Sequence, residues 1–241
     1  MRIDRQNSEV RKIKITPEFV PNADGSVLIE CGNTKVICTA TIEEKVPQFL
    51  RGKGMGWVSA EYSMIPAAAI SRKVRDISKG KIDGRSQEIQ RLIGRSLRES
   101  IDLEILGERT IWLDCDVLNA DGGTRTTSIN GAYLALEFAV KKALNEKRLE
   151  TNPIKTKIGS ISVGKVKGIK LVDLDYREDS IADVDLNLVM NDKFEIIEIQ
   201  GTSERDTFNT EELIEFVKYG QIGIKDIFNY MEIVERYIWN W

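Results

Sequence analysis

The sequence predicts an α+β protein in which mixed sheets and packed helices form a sandwich. One observation is that segments of alternating apolar residues, typical of strands with one buried face, follow one another in groups. A second is the order of elements along the chain: strands, helix, strand, helix, strands, helix. A doubly wound parallel sheet would instead alternate single strands with helices. No linker interrupts the pattern, so residues 1–241 are predicted to form a single domain.

The first part of the chain contains four predicted strands. They cover residues 10–15, 25–31, 34–43 and 57–65. Gly32-Asn33, between the second and the third, has the length and composition of a two-residue hairpin turn. Apolar residues alternate from Val36 to Ile42, which predicts that one face of the third strand is buried.

Residues 66–84 have no clear periodicity and are predicted to form a long exposed loop, which in proteins is usually functional or mobile. A helix is predicted over residues 86–103, where Ile89, Leu92 and Leu97 belong to one apolar stripe. A strand over residues 110–118 and a helix that ends near residue 147 are predicted next. Two strand pairs follow, the first over 158–166 and 169–175 and the second over 184–190 and 194–199. The last predicted element is a helix over 210–237.

The composition excludes several kinds of catalytic site. Histidine is absent from all 241 residues, which excludes Ser-His-Asp and Cys-His catalysis and every histidine-ligated metal site. Cys31, Cys38 and Cys115 form no C-x-x-C pair and are interpreted as small buried hydrophobic residues. If the protein is an enzyme, Asp, Glu, Arg, Lys or a hard cation has to carry the chemistry.

The sequence also predicts a cytoplasmic protein. It contains no run of about 18 apolar residues that could span a membrane. Its first sixteen residues are polar and charged, unlike a secretory signal. We therefore expect no membrane association.

Basic residues are concentrated in one segment of a chain whose net charge is −3. Residues 72–98 contain nine basic residues and only three acidic ones. Such a segment suits a polyanionic ligand held at one place. A solvated helix face with tolerant surface charges explains the same composition, and the charge pattern alone favours neither interpretation.

The segment LDCDVLNADGGTRT (113–126) joins a predicted strand to a helix through Gly122 and Gly123. Unpaired N–H groups and the positive end of the dipole attract anions to a helix N-terminus. Thr124 adds a hydroxyl donor, and Arg125 adds a planar guanidinium that matches a phosphate edge. The segment fits neither the P-loop nor the dinucleotide-binding pattern. Phosphate binding is one interpretation, and a plain turn is the other.

Six acidic residues lie between positions 173 and 187. Such a cluster is costly unless Mg²⁺ or arginines neutralise it, although a well-solvated acidic loop has the same composition. Because side chains alternate along a strand, Asp185 and Asn187 are predicted to face away from Val184 and Leu186.

Five segments, in order along nearly the whole chain, resemble the ribonuclease PH family. They are residues 25–64, KGKIDGRSQEIQRLIGRSLR (79–98), LDCDVLNADGGTRT (113–126), TNPIK (151–155) and IIEIQGTSE (196–204). The resemblance implies the βαβα fold shared with exosome core subunits and polynucleotide phosphorylase, a fold of the ribosomal protein S5 domain 2-like type. It also implies a ring-shaped homohexamer, a trimer of dimers.

The resemblance implies a tRNA nucleotidyltransferase. Enzymes of this family use inorganic phosphate to trim the 3′ end of tRNA precursors, releasing nucleoside diphosphates in a reversible reaction, and rRNA is a further expected substrate. The implied phosphate ligands are Arg85, Gly123, Thr124 and Arg125. Asp179 and Asp185 match two aspartates that serve for a divalent metal, expected to be Mg²⁺, and for general acid catalysis. We assign protonation of the departing 3′ oxygen to Asp185.

The basic segment is expected to bind RNA by its phosphates. The expected RNA-binding residues are Arg72, Arg75, Lys79 and Arg91. Ala67 to Ala69 follow Ile65-Pro66, where the family commonly has an arginine and small polar residues. One expected tRNA contact is therefore missing, and Arg72 and Arg75 match the later basic positions.

Three other functions remain open at this point. An inactive ring subunit would be expected to lack some of the site residues, and all of them are present. A general RNA phosphorylase of the exosome type would use tRNA as only one of its substrates. A nucleotide-binding regulatory protein could use the Gly-Gly loop, but no base or ribose site is recognisable.

Overall fold

The computed structural model describes residue 2 and residues 4–239, apart from the side chains of residues 77 and 237–239. Its first sheet has five strands: β1 (Ile13–Pro17), β2 (Gly25–Cys31), β3 (Thr34–Glu43), β4 (Trp57–Met64) and β5 (Thr110–Asn119). They are arranged in the order β1-β2-β3-β5-β4. β4 pairs with β5 in parallel, and the other pairs are antiparallel.

The second sheet has four antiparallel strands in the order β7-β6-β8-β9. They are β6 (Ile158–Val166), β7 (Ile169–Val172), β8 (Val184–Asn191) and β9 (Ile196–Ser203). The helices are α1 (Asp76–Lys79), α2 (Gly84–Arg98), α3 (Leu103–Leu106), α4 (Thr124–Asn145), α5 (Tyr176–Asp179) and α6 (Thr210–Trp239). None of the helices within the described residues is long and apolar enough to cross a membrane.

Helix α4 lies between the two sheets and contacts β2, β3 and β6. Its residues are buried on nearly all sides, as expected of a helix that is covered on both faces. One polar contact joins it to β6 of the second sheet. Asn130 donates to the Ser160 carbonyl oxygen at 2.9 Å and accepts from the Ser160 N–H at 2.8 Å. This sandwich of sheets and helices confirms the predicted fold class.

Several elements follow the sequence prediction closely. β2, β3 and β6 have the predicted bounds, and Gly32-Asn33 closes the hairpin between β2 and β3. Lys167 and Gly168 join β6 to β7 with φ of 50° and 75°, as a type I′ turn requires. All three cysteines are buried and free.

The prediction of a helix over residues 86–103 is wrong at the C-terminal end. α2 ends at Arg98, and a separate one-turn helix, α3, begins at Leu103. The Asp102 carboxylate accepts hydrogen bonds from the N–H groups of Glu104 and Ile105, both at 3.0 Å. This side chain caps a new helix, which the continuous apolar pattern does not reveal.

Other boundaries also differ from the prediction. The exposed segment 66–84 contains the one-turn helix α1, β1 begins at Ile13, and β9 begins at Ile196. β7 ends at Val172 because Asp173 takes a left-handed φ of 55°. Phe194, with φ of 60°, lies in the turn before β9.

Glu137 is a buried acid of α4 with 4% exposure, close to α6. It accepts a hydrogen bond from the Tyr133 hydroxyl at 2.8 Å. Burial, reinforced by the charge of Glu235, raises the pKa of Glu137 from 4.5 to about 8. The folded protein therefore holds this proton more tightly than the unfolded chain does.

We expect Glu137 to make stability fall as the pH rises from about 4.5 to about 8, because the folded state then releases the proton less readily than the unfolded state. The contribution amounts to about 1.4 kcal/mol per pH unit. Urea unfolding at pH 5 and pH 7.5 should show that Glu137→Gln removes this dependence. Glu146→Gln, at an exposed position just after the same helix, is the control. Equal pH dependence in wild type and Glu137→Gln would contradict the assignment.

Candidate active site

A cleft of about 800 Å³ opens where the N-termini of α2 and α4 meet β8 and β9. Its lining includes all six residues predicted for phosphate binding and catalysis: Arg85, Gly123, Thr124, Arg125, Asp179 and Asp185. These residues come from four separate parts of the chain. The fold therefore brings the Gly-Gly loop and the acidic segment to the same place.

The Gly-Gly loop requires its glycines. Gly122 and Gly123 have φ of 75° and 63°, in the left-handed region. A Cβ atom on Gly122 would lie 2.4 Å from the Leu174 carbonyl oxygen, so the loop packs directly on the segment that leads to Asp179. Gly123 is the residue before α4, and the first N–H groups of that helix are at the cleft.

Thr124 and Arg125 are held by residues from three other elements. The Tyr62 hydroxyl, on β4, donates to Thr124 Oγ1 at 3.0 Å. Arg125 donates to Gln200 Oε1, on β9, at 2.9 Å and to Glu88 Oε1, on α2, at 3.3 Å. Burial raises the pKa of Tyr62, which keeps the phenol protonated as a donor.

Tyr62, Glu88 and Gln200 were not selected from the sequence. Each is distant in the chain from the residue that it contacts, and no local pattern marks it. All three do lie within segments that carry the family resemblance: Tyr62 in residues 25–64, Glu88 in residues 79–98 and Gln200 in residues 196–204. That membership was the one available signal.

Arg85 is the second residue of α2, and its side chain is exposed at the cleft. Within the described residues it forms no hydrogen bond or ion pair, in contrast to Arg125. Its charge acts on Asp179 and Asp185 and counters the rise of their pKa values. An unpaired guanidinium beside a helix N-terminus is suited to an incoming anion.

Asp179 ends α5, and Asp185 is the second residue of β8. Burial is the largest cause that raises the pKa of both carboxyl groups. For Asp185 the neighbouring Asp179 adds to this, and its pKa rises to about 6. Asn187 donates to Asp185 Oδ2 at 3.4 Å, and both residues line the cleft, as the alternation of β8 predicts.

The four residues expected to bind RNA lie outside this lining. Arg72, Arg75 and Lys79 belong to the exposed segment before α2, and Arg91 is on an exposed face of α2. Two other arginines of that helix are engaged elsewhere. Arg95 forms a bidentate pair with Glu198 at 2.6 and 3.1 Å, and Arg98 lies 4.2 Å from the centre of the Trp57 ring.

Comparison with known proteins decides the family. A model of the 3′ exoribonuclease family, domain 1, matches residues 9–141, and the model of domain 2 matches residues 157–223. Ribonuclease PH of Neisseria meningitidis serogroup B is 56% identical over 232 residues, which are 96% of each chain. The chain belongs to the ribonuclease PH family. Membership confirms the predicted enzyme class, a phosphorolytic 3′→5′ exoribonuclease, over the inactive ring subunit.

Solved structures support the ribonuclease PH fold. Rice (Oryza sativa) Rrp46 superposes with a TM-score of 0.77 at 17% identity, covering 95% of this chain and 97% of that one. The Archaeoglobus fulgidus exosome with RNA bound to its active site gives a TM-score of 0.75 at 21% identity, covering 98% and 92%. At these identities the likeness concerns the fold.

Proposed function

We propose that this ribonuclease PH family member uses inorganic phosphate to remove nucleotides one at a time from the 3′ end of tRNA precursors. The observation that carries the proposal is the single cleft in which Arg85 and the Gly-Gly-Thr-Arg loop face Asp179 and Asp185. Groups suited to bind an anion thus lie in the same cleft as the carboxyl group of Asp185, which can hold a proton. A second candidate substrate, rRNA, would use the same cleft.

The reaction brings two anions together, so the first requirement is positive charge. Arg85, Arg125 and the N-terminus of α4 hold phosphate and reduce its repulsion from RNA. A phosphate oxygen attacks the phosphorus of the last phosphodiester, and the bond from that phosphorus to the 3′ oxygen breaks. The protonated carboxyl group of Asp185 gives its proton to the departing oxygen, and a nucleoside diphosphate is released.

Mg²⁺ is the cofactor that suits the two aspartates. The described residues contain no group of three or more His, Cys, Asp and Glu side chains that could hold a metal ion by itself. Mg²⁺ usually binds through one or two carboxylates together with water and substrate phosphate, so the pair of Asp179 and Asp185 fits it. The ion would neutralise charge that develops in the reaction. Activity that is lost with a chelator and restored by Mg²⁺ would support this assignment.

The exposed basic residues are proposed to bind the RNA backbone, with steep salt dependence and little sequence preference. We expect the triple variant Arg72→Gln, Arg75→Gln, Lys79→Gln to raise the KM for RNA and leave the KM for phosphate unchanged. The logarithm of RNA affinity should then decrease less steeply with the logarithm of salt concentration, with the slope smaller in magnitude by about 0.7 for each charge removed. Filter binding at several salt concentrations measures this slope.

The matched control removes three exposed lysines that lie outside this segment of the chain. They are Lys147, Lys193 and Lys218. Equal slopes for the two triple variants would show that the basic segment has no special part in RNA binding.

Two further predictions follow from the family resemblance. We propose that six copies assemble as a trimer of dimers, which sedimentation equilibrium would test. We also propose that the enzyme acts in the cytoplasm, and fractionation of cells that produce it would test this.

The activity itself is tested with a tRNA that has a labelled 3′ extension, incubated with Mg²⁺ in the presence and absence of phosphate. Nucleoside diphosphates that appear only with phosphate would establish phosphorolysis. Nucleoside monophosphates released without phosphate would mean hydrolysis and would refute the proposed role of the Gly-Gly-Thr-Arg loop.

A further inference from the structure

Three arginines near the N-terminus contact segments that adjoin the active-site cleft and do not line it. The side chains of Arg2, Arg5 and Arg11 are only 2%, 6% and 5% exposed. All three bind the segment that runs from β7 to α5, which ends at Asp179. Arginine side chains are rarely buried unless they are paired. Three buried guanidinium groups around one short segment therefore indicate that these arginines hold the segment in place.

Arg11 forms a buried ion pair with Asp173. The Asp173 carboxylate is 1% exposed and accepts hydrogen bonds from three groups of Arg11: the backbone N–H at 2.8 Å, Nε at 2.8 Å and Nη2 at 2.7 Å. Burial acts to raise the pKa of Asp173, but the hydrogen bonds and charge of Arg11 outweigh it and lower the pKa. Both groups therefore remain charged in the interior.

The same guanidinium reaches the phosphate-binding loop. Arg11 Nη1 donates to the Asp121 carbonyl oxygen at 2.5 Å, and Nη2 lies 3.3 Å from the Gly122 carbonyl oxygen. The hydroxyl of buried Thr34 donates to the Gly122 carbonyl oxygen at 2.7 Å. The same Thr34 hydroxyl accepts from the Asp121 N–H at 3.0 Å, so Thr34 and Arg11 together hold the backbone of the loop that leads into α4.

Arg2 holds the segment at its other end. Its Nε and Nη2 atoms donate to the two carboxylate oxygens of Glu178 at 2.6 and 2.8 Å, and Nη2 also donates to the Val172 carbonyl oxygen at 2.7 Å. Glu178 also accepts from the Asp175 N–H at 3.0 Å, which completes the capping box of α5. Asp179 is the next residue.

Helix α5 has only four residues, and a helix that short is unstable without outside contacts. The position of Asp179 therefore depends on what holds Glu178 and Asp175. The largest set of side-chain hydrogen bonds on Glu178 comes from Arg2, with Arg5 adding one at 3.3 Å.

We propose that Arg11 and Arg2 are positioning residues for phosphorolysis. Arg11 fixes the phosphate-binding loop, and Arg2 fixes Asp179 through Glu178. One N-terminal segment thus aligns the phosphate site of the first sheet with the acidic site of the second. This inference rests on the proposed function of the cleft.

The two roles predict different kinetic effects. Arg2→Ala should lower kcat about tenfold or more while the KM for phosphate stays within twofold, because the loop keeps its contacts. Thr34→Val and Arg11→Lys should raise the KM for phosphate severalfold. Arg2→Lys, which keeps the charge but loses the bidentate geometry, should recover only part of the kcat. Steady-state phosphorolysis at saturating RNA, with phosphate varied, measures both constants.

The variants are chosen so that a loss of folding can be distinguished from a loss of function. Thr34→Val removes two loop contacts without leaving a buried charge unpaired, so it tests the loop if Arg11→Lys does not fold. Arg148→Ala, which breaks two ion pairs, one with Asp24 and one with Glu146, outside the cleft lining, controls for general loss of stability. Its thermal midpoint should fall with kcat and KM unchanged.

Two outcomes would overturn the inference. One is wild-type kcat and KM in Arg2→Ala and Thr34→Val. The other is the same change in both constants for both variants, which a purely structural role would give. Either result, obtained while the wild type releases nucleoside diphosphates only with phosphate, leaves the proposed function standing. A wild type that shows no phosphorolysis would instead refute the proposed function itself.

Discussion

Replacing Arg125 by alanine is expected to lower kcat/KM for phosphorolysis by about 100- to 1,000-fold, the usual cost of losing one preorganised donor at a reacting anion. Arg125 follows the Gly-Gly-Thr turn directly and is positioned by Gln200 and Glu88. Its guanidinium offers several N–H groups in one plane, more than these two partners use. Without it, the attacking phosphate and the RNA phosphate repel each other more strongly.

The measurement is the initial rate of nucleoside diphosphate release over a range of phosphate concentrations. Arg125→Lys retains the charge and loses the planar fork, so an intermediate rate is expected. A wild-type rate in Arg125→Ala, from protein with an unchanged thermal midpoint, would exclude Arg125 from the phosphate site.

Asp185→Asn is the second variant with a large expected effect. The carboxyl group lies in the cleft on β8, where burial raises its pKa to about 6. An amide of nearly the same shape cannot transfer the proton, so we expect kcat to fall by about 100- to 10,000-fold. Binding of RNA should be little changed because the basic segment before α2 is untouched.

Asp183→Asn is a matched control in the same acidic segment. Asp183 accepts a hydrogen bond from the Gly168 N–H at 3.3 Å and does not line the cleft. Its replacement should leave kcat near the wild-type value. If Asp185→Asn kept wild-type activity, another group would have to protonate the 3′ oxygen.

Local patterns predicted much of the fold. Alternation of apolar residues marked β3, whose buried residues alternate with less buried ones, and the turns at Gly32-Asn33 and Lys167-Gly168 marked the ends of β2 and β6. The end of α2 was missed because it depends on the Asp102 cap and on contacts with residues distant in sequence. Asp102 N–H donates to the Pro153 carbonyl oxygen at 2.7 Å. The prediction of one domain over residues 1–241 stays a prediction.

The candidate site was also partly predictable, where its residues form a local pattern in the chain. The Gly-Gly-Thr-Arg loop is contiguous, so chemistry at a helix N-terminus could be inferred from it directly. Selecting Arg85, Asp179 and Asp185 needed the family resemblance. Arg2, Arg11 and Thr34 could not be found, since their partners are more than 80 residues away in the chain.

The central claim is that inorganic phosphate itself attacks the RNA in the cleft that contains Arg125 and Asp185. The most direct test supplies ³²P-labelled inorganic phosphate and unlabelled tRNA with a 3′ extension, then locates the label in the released nucleotides. This mechanism predicts that each nucleoside diphosphate carries the label at its β-phosphate, and that Arg125→Ala greatly slows its appearance. Unlabelled nucleoside monophosphates as the product would contradict it.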